Sequence, residues 1–184
     1  LINLFSKNIK LKDASVETFT EMTPEIETLF TTYSKSFTNH LIRDKAWLDW
    51  RYLKSVRGKH HVLALREAGK LTAITVVKED EMLGNPSLLI MDFAHGNGKE
   101  NSLLYLIDEV RRKPGLTNFK FNLLFVSGIA PALASFAKIG FMKIPEKVNP
   151  RVLNLLSRTS SKLKADSIQT EKNWLLTIGD WDVF

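Results

Sequence analysis

Residues 132–141 read ALASFAKIGF and carry the strongest indication of the fold in the sequence. The apolar residues of this stretch recur at helical spacing, and Gly140 directly follows them. A glycine at this place readily takes the left-handed conformation that ends many helices. The stretch therefore predicts a short amphipathic helix over residues 131–139, after which Phe141 returns the chain to the core.

The segments before this helix alternate between strand and helix patterns. Residues 61–66 and 71–77 alternate polar and apolar side chains around a short glycine-containing turn, which predicts a β-hairpin. Residues 87–94 form an apolar run of strand length, and residues 100–113 follow with helical periodicity. This alternation around an apolar centre predicts an α/β domain with helices on both faces of a sheet.

The remaining segments carry weaker patterns. They predict a first helix opened by Thr23 and Pro24, a second helix over 43–55, a polar loop over 79–86, strands over 119–126, 152–156 and 173–178, and an excursion over 157–171.

Chain length bounds the domain organisation. The 184 residues suit one domain, which we expect over residues 14–184 after a linker or a remnant of a preceding segment at residues 1–13. Because the sequence starts at Leu1 without an initiator Met, we expect the domain to belong to a longer chain.

Composition excludes several kinds of chemistry. The absence of cysteine removes disulfides, thiolate metal sites and cysteine nucleophiles, and the 4 histidines are scattered, so we expect no metal site. No apolar run is long enough for a membrane helix, and we expect no membrane span. Basic residues do not cluster with aromatic ones, so we expect no nucleic-acid partner.

The loop that follows the apolar run 87–94 contains two glycines, in the order His95-Gly96-Asn97-Gly98-Lys99. Glycine lets a ligand approach the backbone closely, and the N-terminus of the next helix favours an anion. A purely structural loop explains the same residues. The net charge of +6 fits an anionic ligand or simply a mildly basic surface.

Three segments together resemble a known superfamily. Residues 132–141 are similar to the A-x-x-x-[FY]-x-K-x-G-F segment of the GCN5-related N-acetyltransferases, and they stand in the same place along the chain. Residues 44–53, DKAWLDWRYL, resemble the L-x-W-R-Y helix of a bacterial branch of that superfamily. Residues 174–182, WLLTIGDWD, resemble its W-x-x-T-x-G-D-x-D strand. The resemblance spans residues 14–184.

This resemblance implies the acyl-CoA N-acyltransferase fold, in which a mixed, mostly antiparallel central sheet has a splayed strand pair and helices on both faces. It implies a cytoplasmic N-acyltransferase that uses acetyl-CoA or another acyl-CoA as co-substrate. The acceptor would be a small-molecule amine, with sugar and envelope precursors among the candidates. A neighbouring domain or a second copy of the chain is an expected partner.

The resemblance also implies a set of cofactor-binding residues. The strand, the loop and one side chain of the short helix would contact the acyl-CoA: Ile90, Met91, Asp92, Phe93, Ala94, His95, Gly96, Asn97, Gly98, Lys99 and Phe136. Two of the family's usual residues are replaced. In one alignment of the loop, Glu100 stands where a glycine or alanine is usual, and in a shifted alignment Phe93 stands where a glutamine or arginine is usual. Phe136 stands where many members have a tyrosine acid.

Asp92 is the first candidate for a catalytic base. It is an acidic residue within an apolar strand, where burial would increase its affinity for a proton. A strand carboxylate that holds the loop by hydrogen bonds is an equal alternative. His95 is a second candidate as a base or phosphate contact, unless it is simply an exposed loop histidine.

Trp47, Trp50 and Arg51 are candidates for the acceptor side, with core packing as the alternative for the two tryptophans. The replacements at Phe136 and Glu100 keep a second function open, a non-catalytic module of the same fold that binds a ligand or pairs with another domain. Transfer from an aminoacyl donor is a third.

Overall fold

The computed structural model describes residues 9–56, 58–82, 84–144 and 173–180. These residues form eight strands and four α-helices, some of which continue into π or 3-10 turns. In chain order they are β1 (Ala14–Phe19), α1 (Pro24–Ser34), β2 (Asn39–His40), α2 (Lys45–Leu48) with a π-helical turn (Asp49–Leu53), β3 (His60–Glu67), β4 (Lys70–Met82), β5 (Asn85–His95), α3 (Glu100–Arg112), a 3-10 turn (Pro114–Leu116), β6 (Leu123–Val126), β7 (Gly128–Ile129), α4 (Ala132–Ser135) with a 3-10 turn (Phe136–Ile139), and β8 (Trp174–Thr177) with a 3-10 turn (Ile178–Asp180).

The main sheet has five strands in the order β1-β3-β4-β5-β6. All its pairs are antiparallel except β5 with β6, which is parallel. The hairpin between β3 and β4 turns at Ala68 and Gly69, whose φ angles are +47° and +78°. Two successive positive φ angles match the twist of the flanking strands, which explains this tight connection.

Strand β5 leaves β6 halfway along its length. Val76 pairs with Asp92 and Val77 pairs with Ile90, so Met91 is the extra residue of a β-bulge. The pairing of β5 with β6 ends at Ile90 and Val126. Beyond the bulge, residues 92–95 pair with β4 but with no strand on the β6 side in the described part of the chain. We call this the unpaired edge of β5.

A small second sheet has the order β2-β8-β7. Its strand β8 pairs in parallel with β2 and antiparallel with β7. Gly128 in β7 has a φ of +142°, and a Cβ there would collide with the backbone oxygen of Leu176. This close approach explains the glycine.

Helical segments cover both faces of the main sheet. Adjacent residues of a strand point to opposite faces, and Asp92 and Phe93 show this in β5. The hydroxyl of Tyr52, from the π-helical turn, donates to Asp92. The ring of Phe136, after α4, lies 5.6 Å from that of Phe93.

Local capping fixes where the first helices begin. Thr23 accepts a hydrogen bond from the Ile26 N–H at 3.4 Å, and Pro24 occupies the first turn of α1. Asp44 accepts from the Trp47 N–H at 2.8 Å and so caps α2.

These observations confirm the sequence-based fold class, including the splayed strand pair. The hairpin, the central strand, the helix α3 and the last strand are confirmed with small shifts in their ends. Gly140 ends the helix of residues 132–139 with a φ of +91°, as predicted.

Three expectations about element bounds are wrong. The helix expected over 43–55 spans only residues 45–53, because Asp44 caps it. The polar loop expected over 79–86 is mostly strand, since the β4–β5 ladder continues from Glu79 to Met82. The strand expected over 119–126 begins at Leu123. The strand expected over 152–156 and the excursion over 157–171 lie outside the described residues.

Candidate functional site

Asp92 lies at the bulge of β5 and is completely buried. Its Oδ2 accepts from Arg43 Nε at 2.8 Å and from the Tyr52 hydroxyl at 2.9 Å. Its Oδ1 accepts from the Phe93 N–H at 2.9 Å and from Thr177 Oγ1 at 3.1 Å. Both oxygens are therefore occupied, and Asp92 fixes the elements around the bulge.

A second carboxylate meets the same arginine. Asp180 Oδ2 accepts from Arg43 Nη2 at 2.6 Å and from the Thr177 N–H at 2.8 Å. Burial raises the pKa of Asp180 to about 6, Arg43 opposes this rise, and the charge of Asp92 adds to it. We call Arg43, Tyr52, Asp92, Thr177 and Asp180 the arginine network.

Burial opposes the charge of Arg43, yet Asp92 and Asp180 outweigh it and keep the pKa of the guanidinium above its ordinary value. Burial, followed by the charge of Asp92, likewise raises the pKa of Tyr52. At neutral pH the arginine network therefore holds a charged guanidinium and a neutral phenol.

The 3-10 turn after β8 packs directly against the bulge. A Cβ at Gly179 would collide with the Tyr52 hydroxyl and would lie 3.0 Å from the backbone oxygen of Met91. The turn can approach this closely because Gly179 has no side chain. This contact brings Asp180 to the point where β5 and β6 separate.

The loop of residues 95–99 follows the unpaired edge of β5. The Gly96 N–H donates to Thr72 O at 2.9 Å, and the Lys99 N–H donates to Gly96 O at 2.9 Å. None of the backbone hydrogen bonds among the described residues uses the N–H of Gly98, Glu100 or Asn101. The start of α3 thus presents unpaired donors, with Asn97 and Gly98 exposed.

The side chains of this region have protein partners. Lys99 Nζ lies 3.2 Å from a Glu67 oxygen, and Lys138 Nζ lies 3.5 Å from a Glu100 oxygen. A hydrogen bond from Ser135, opposed by burial and assisted by Lys138, lowers the pKa of Glu100. The lysine of the A-x-x-x-F-x-K-x-G-F segment therefore offsets the carboxylate at the start of α3.

His95 is half-buried at the end of β5. Its ring centre lies 4.7 Å from that of Tyr33. Its Nδ1 is 2.8 Å from Gly96 O, and a carbonyl oxygen only accepts, so Nδ1 carries the proton and Nε2 is left as an acceptor. This tautomer makes Nε2 the only basic atom of His95.

An aromatic cluster covers the other face of β5. The ring centre of Phe136 lies 5.6 Å from that of Phe93 and 5.3 Å from that of Phe141. Phe136 is 1% exposed and therefore packs in the core beside the strand. Its phenyl ring has no proton to donate.

The three residues expected on the acceptor side lie in different environments. The Trp47 ring is partly buried, 5.6 Å from that of Tyr52 and 5.7 Å from the guanidinium of Arg43. The Trp50 side chain is 58% exposed and lies 6.0 Å from the guanidinium of a buried Arg51. Trp47 therefore borders the arginine network, whereas Trp50 faces outward.

A shallow groove of about 370 Å³ lies away from these residues, at the start of α1. Its lining residues are Pro24, Glu25, Thr28, Leu29, Thr32 and Leu71.

No cluster of three His, Asp or Glu side chains in the described segments is arranged to hold a metal ion. Within the same segments, no helix is long and apolar enough to cross a membrane.

Sequence reasoning missed most of the arginine network. Arg43 and Tyr52 fell within the helix predicted over residues 43–55, and no role was assigned to Asp180. A usable signal was present in residues 174–182, because one threonine and two aspartates interrupt an otherwise apolar segment there.

Comparison with known proteins supports the fold through structure alone. No family model matches the sequence, and no curated protein matches it significantly. A ribosomal-protein-alanine N-acetyltransferase from Brucella melitensis biovar Abortus 2308 has a similar structure, with a TM-score of 0.55 and 12% identity over 78% of this chain and 100% of its own.

Two aminoglycoside acetyltransferases from uncultured soil metagenomic samples are also similar. One was solved in complex with sisomicin and has a TM-score of 0.51 and 14% identity, over 80% of this chain and 97% of its own. The other has a TM-score of 0.50 and 20% identity, over 81% of this chain and 100% of its own. At these identities the likeness concerns the fold, and the chain has the acyl-CoA N-acyltransferase fold of the GCN5-related N-acetyltransferases.

Proposed function

We propose that this protein transfers an acyl group from acetyl-CoA or a similar acyl-CoA to a small-molecule amine in the cytoplasm. One observation carries the proposal. Strand β5 leaves β6 at the Met91 bulge and runs, with an unpaired edge, directly into a loop and helix start whose N–H groups lack partners. An open strand edge that leads to free donors at a helix start suits a ligand with an extended arm and a pyrophosphate.

The start of α3 is the proposed pyrophosphate site. The N–H groups of Gly98, Glu100 and Asn101 are available, and the helix dipole adds a partial positive charge. Glu100 opposes an anion here, but Lys138 offsets its charge from 3.5 Å away.

Catalysis would come mainly from positioning the amine against the thioester. Phe136 has no proton to give, so the thiolate would take its proton from the attacking amine or from water. Asp92 has both oxygens occupied within the arginine network, and we assign it to holding the bulge rather than to proton transfer.

A non-catalytic module of the same fold is the second candidate, and a specific observation favours it. The Phe93 N–H lies on the β5 backbone where a donor to the acyl oxygen would be useful, but it already bonds to Asp92. The turn at Gly179 also packs against the bulge. A module of this kind would bind a ligand at the start of α3 without catalysing a reaction.

Calorimetry with two acyl donors tests the proposal. Acetyl-CoA carries the pyrophosphate, and S-acetylpantetheine lacks it. We expect acetyl-CoA to bind and acetylpantetheine to bind at least about 10-fold more weakly, because phosphate contacts at a helix start contribute at least about 1.4 kcal/mol. Absence of binding by acetyl-CoA at millimolar concentration would contradict both candidates that use CoA.

Thiol release from acetyl-CoA separates the two candidates. The similar structures include an aminoglycoside acetyltransferase bound to sisomicin and an N-acetyltransferase for a protein alanine. Amino sugars and short peptides with a free amino-terminal alanine are therefore the acceptors to test first. Amine-dependent release of the CoA thiol supports the transferase. Binding of acetyl-CoA without thiol release in the presence of each acceptor supports the non-catalytic module.

A further inference from the structure

The segment that joins the π-helical turn to β3 exposes apolar side chains. Val56 is 97% exposed, and Trp50 is 58% exposed. A valine with this accessibility buries almost none of its apolar surface. Single exposed apolar side chains are common on proteins, whereas neighbouring ones mark surfaces that bind a partner.

Trp50 and Lys54 project from the same side of the π-helical turn. The Lys54 N–H donates to Asp49 O at 2.8 Å, so Lys54 completes the turn that contains Trp50. Residues four apart in a helical turn are neighbours on its surface, and both side chains are exposed. Val56 follows two residues later, so its Cα lies within about 7 Å of that of Lys54. The two apolar side chains and the lysine therefore occupy one small area of the surface.

This area is also basic. Residues 50–59, WRYLKSVRGK, contain four basic and no acidic residues, compared with a net charge of +6 for the whole chain. Lys54 is exposed, and the Lys59 side chain is 62% exposed, with its Nζ 3.8 Å from a Glu79 oxygen. Positive charge is therefore concentrated in this segment. We call Trp50, Lys54, Val56 and Lys59 the apolar–basic surface.

We propose that the apolar–basic surface docks the protein on an anionic lipid bilayer. A tryptophan ring favours the boundary between headgroups and acyl chains, and a neighbouring valine can bury its side chain there. Lysines beside them keep their ammonium groups at the headgroups and are attracted to anionic lipids. The inference concerns a surface outside the acyl-transfer path and does not depend on the proposed function.

A nucleic acid suits this surface less well than a bilayer. Proteins hold single-stranded nucleic acids largely through aromatic rings that stack on the bases. Tyr52, the other aromatic residue of the segment, is buried, and the Arg51 guanidinium lies 6.0 Å from the Trp50 ring centre. Val56 offers nothing to a base or a phosphate, whereas acyl chains accommodate it.

A second copy of the chain also suits the surface poorly. In a two-fold dimer the same patch meets itself, so Lys54 and Lys59 would face their own copies. Like charges brought together in this way repel each other. A surface of opposite charge, as an anionic bilayer presents, removes that repulsion.

Sedimentation of the 184-residue chain with vesicles tests the proposal. One vesicle contains equal parts of phosphatidylglycerol and phosphatidylcholine, and the other contains phosphatidylcholine alone. We expect about 25-fold tighter binding to the anionic vesicle, because each of the two lysines contributes about 5-fold near an anionic surface. This preference should shrink as salt is added. Equal binding to both vesicles, or binding to neither, overturns the proposal.

Lysine variants locate the docking surface. Lys54→Gln and Lys59→Gln should each weaken binding to the anionic vesicle by about 5-fold. Lys70→Gln is the matched control, because Lys70 is exposed at the other end of the hairpin, and it should weaken binding less than about 2-fold. An equal loss in all three variants would mean that only the net charge matters, which contradicts the proposal.

Tryptophan fluorescence tests insertion. Anionic vesicles whose phosphatidylcholine is brominated on the acyl chains should quench the natural protein. Trp50→Phe should remove most of this quenching, whereas Trp47→Phe should retain it, because the Trp47 ring is partly buried beside Tyr52. Undiminished quenching in Trp50→Phe would place another part of the chain in the bilayer and overturn the proposal. A thermal melt of each variant shows that it is folded.

Val56→Ser separates the bilayer from the other occupants. We expect this variant to bind anionic vesicles roughly 10-fold more weakly, because the valine side chain no longer leaves water. Its sedimentation coefficient without vesicles should equal that of the natural protein. A natural dimer that Val56→Ser dissociates would assign the surface to a second copy. Tighter binding of a single-stranded oligonucleotide than of anionic vesicles would assign it to a nucleic acid, and either result overturns the proposal.

Discussion

The two ends of the unpaired edge of β5 are built differently. At the Met91–Asp92 end, a buried arginine and hydroxyl groups occupy both oxygens of Asp92, and Gly179 packs against the bulge. At the His95 end, the chain turns through exposed residues into a helix whose first N–H groups lack partners. The Met91–Asp92 end therefore holds the splayed geometry in place, and the His95 end remains available to a ligand.

The largest expected effect comes from disrupting the Met91–Asp92 end of the unpaired edge. Arg43→Met leaves Asp92 and Asp180 buried without their cation, so we expect the free energy of unfolding to fall by about 3–5 kcal/mol. Arg66→Met is the matched control, because Arg66 also pairs with two carboxylates, Glu17 and Glu25, but near the surface. Its loss should cost less than about 1 kcal/mol.

Urea denaturation measures both variants. Equal destabilisation by the two substitutions would mean that the arginine network does not hold the bulge, and the contrast between the two ends of β5 would lose its basis.

A smaller effect concerns pH. Because the pKa of Asp180 is raised to about 6 from 3.8, its stabilising contribution is present below about pH 4 and is lost as pH rises through about 6. His60 acts in the opposite direction, since burial and then Lys78 lower its pKa to about 4 from 6.5. Its contribution is present above pH 6.5 and is lost as pH falls through about 4.

These two contributions oppose each other and largely cancel across this window. In Asp180→Asn the His60 contribution remains, so stability should rise from pH 4 to pH 7 by about 2 kcal/mol more than in the natural protein. Thermal melts at several pH values measure the difference. Parallel pH profiles for the two proteins would show that Asp180 does not titrate in the folded state as the geometry requires.

The smallest expected effect concerns ligand binding at the His95 end of the unpaired edge. Glu100→Gln removes a negative charge from the start of α3, so we expect acetyl-CoA to bind about 3-fold more tightly, equivalent to roughly 0.6 kcal/mol. S-acetylpantetheine should gain nothing, because it has no pyrophosphate. Glu21→Gln is the control for the change in net charge, since Glu21 is exposed in the segment between β1 and α1.

Calorimetric titrations would give each affinity. Equal gains for both donors, or an equal gain from Glu21→Gln, would place the pyrophosphate away from the start of α3.

The fold was predictable because its signals are local. The alternating runs of the hairpin, the periodicity of α3 and the glycine at position 140 each depend on neighbouring residues. The splayed strand pair came from the family resemblance of residues 132–141 and not from a local pattern. The bounds of β4 were missed because its polar end is set by pairing with β5, which the sequence of β4 alone does not show.

The arginine network was not predictable because its contacts are distant in sequence. Arg43 and Asp92 are 49 residues apart, and Asp92 and Thr177 are 85 residues apart. From the sequence Asp92 fitted both a base and a structural carboxylate. Only its saturated hydrogen bonds favour the structural role.

Amide hydrogen exchange with and without acetyl-CoA tests whether the start of α3 binds the pyrophosphate. We expect slower exchange at Gly98, Glu100 and Asn101 when acetyl-CoA is bound, and little change at Phe93, whose N–H already bonds to Asp92. Unchanged exchange at the start of α3 under saturating acetyl-CoA would contradict it. So would protection confined to the groove at the start of α1.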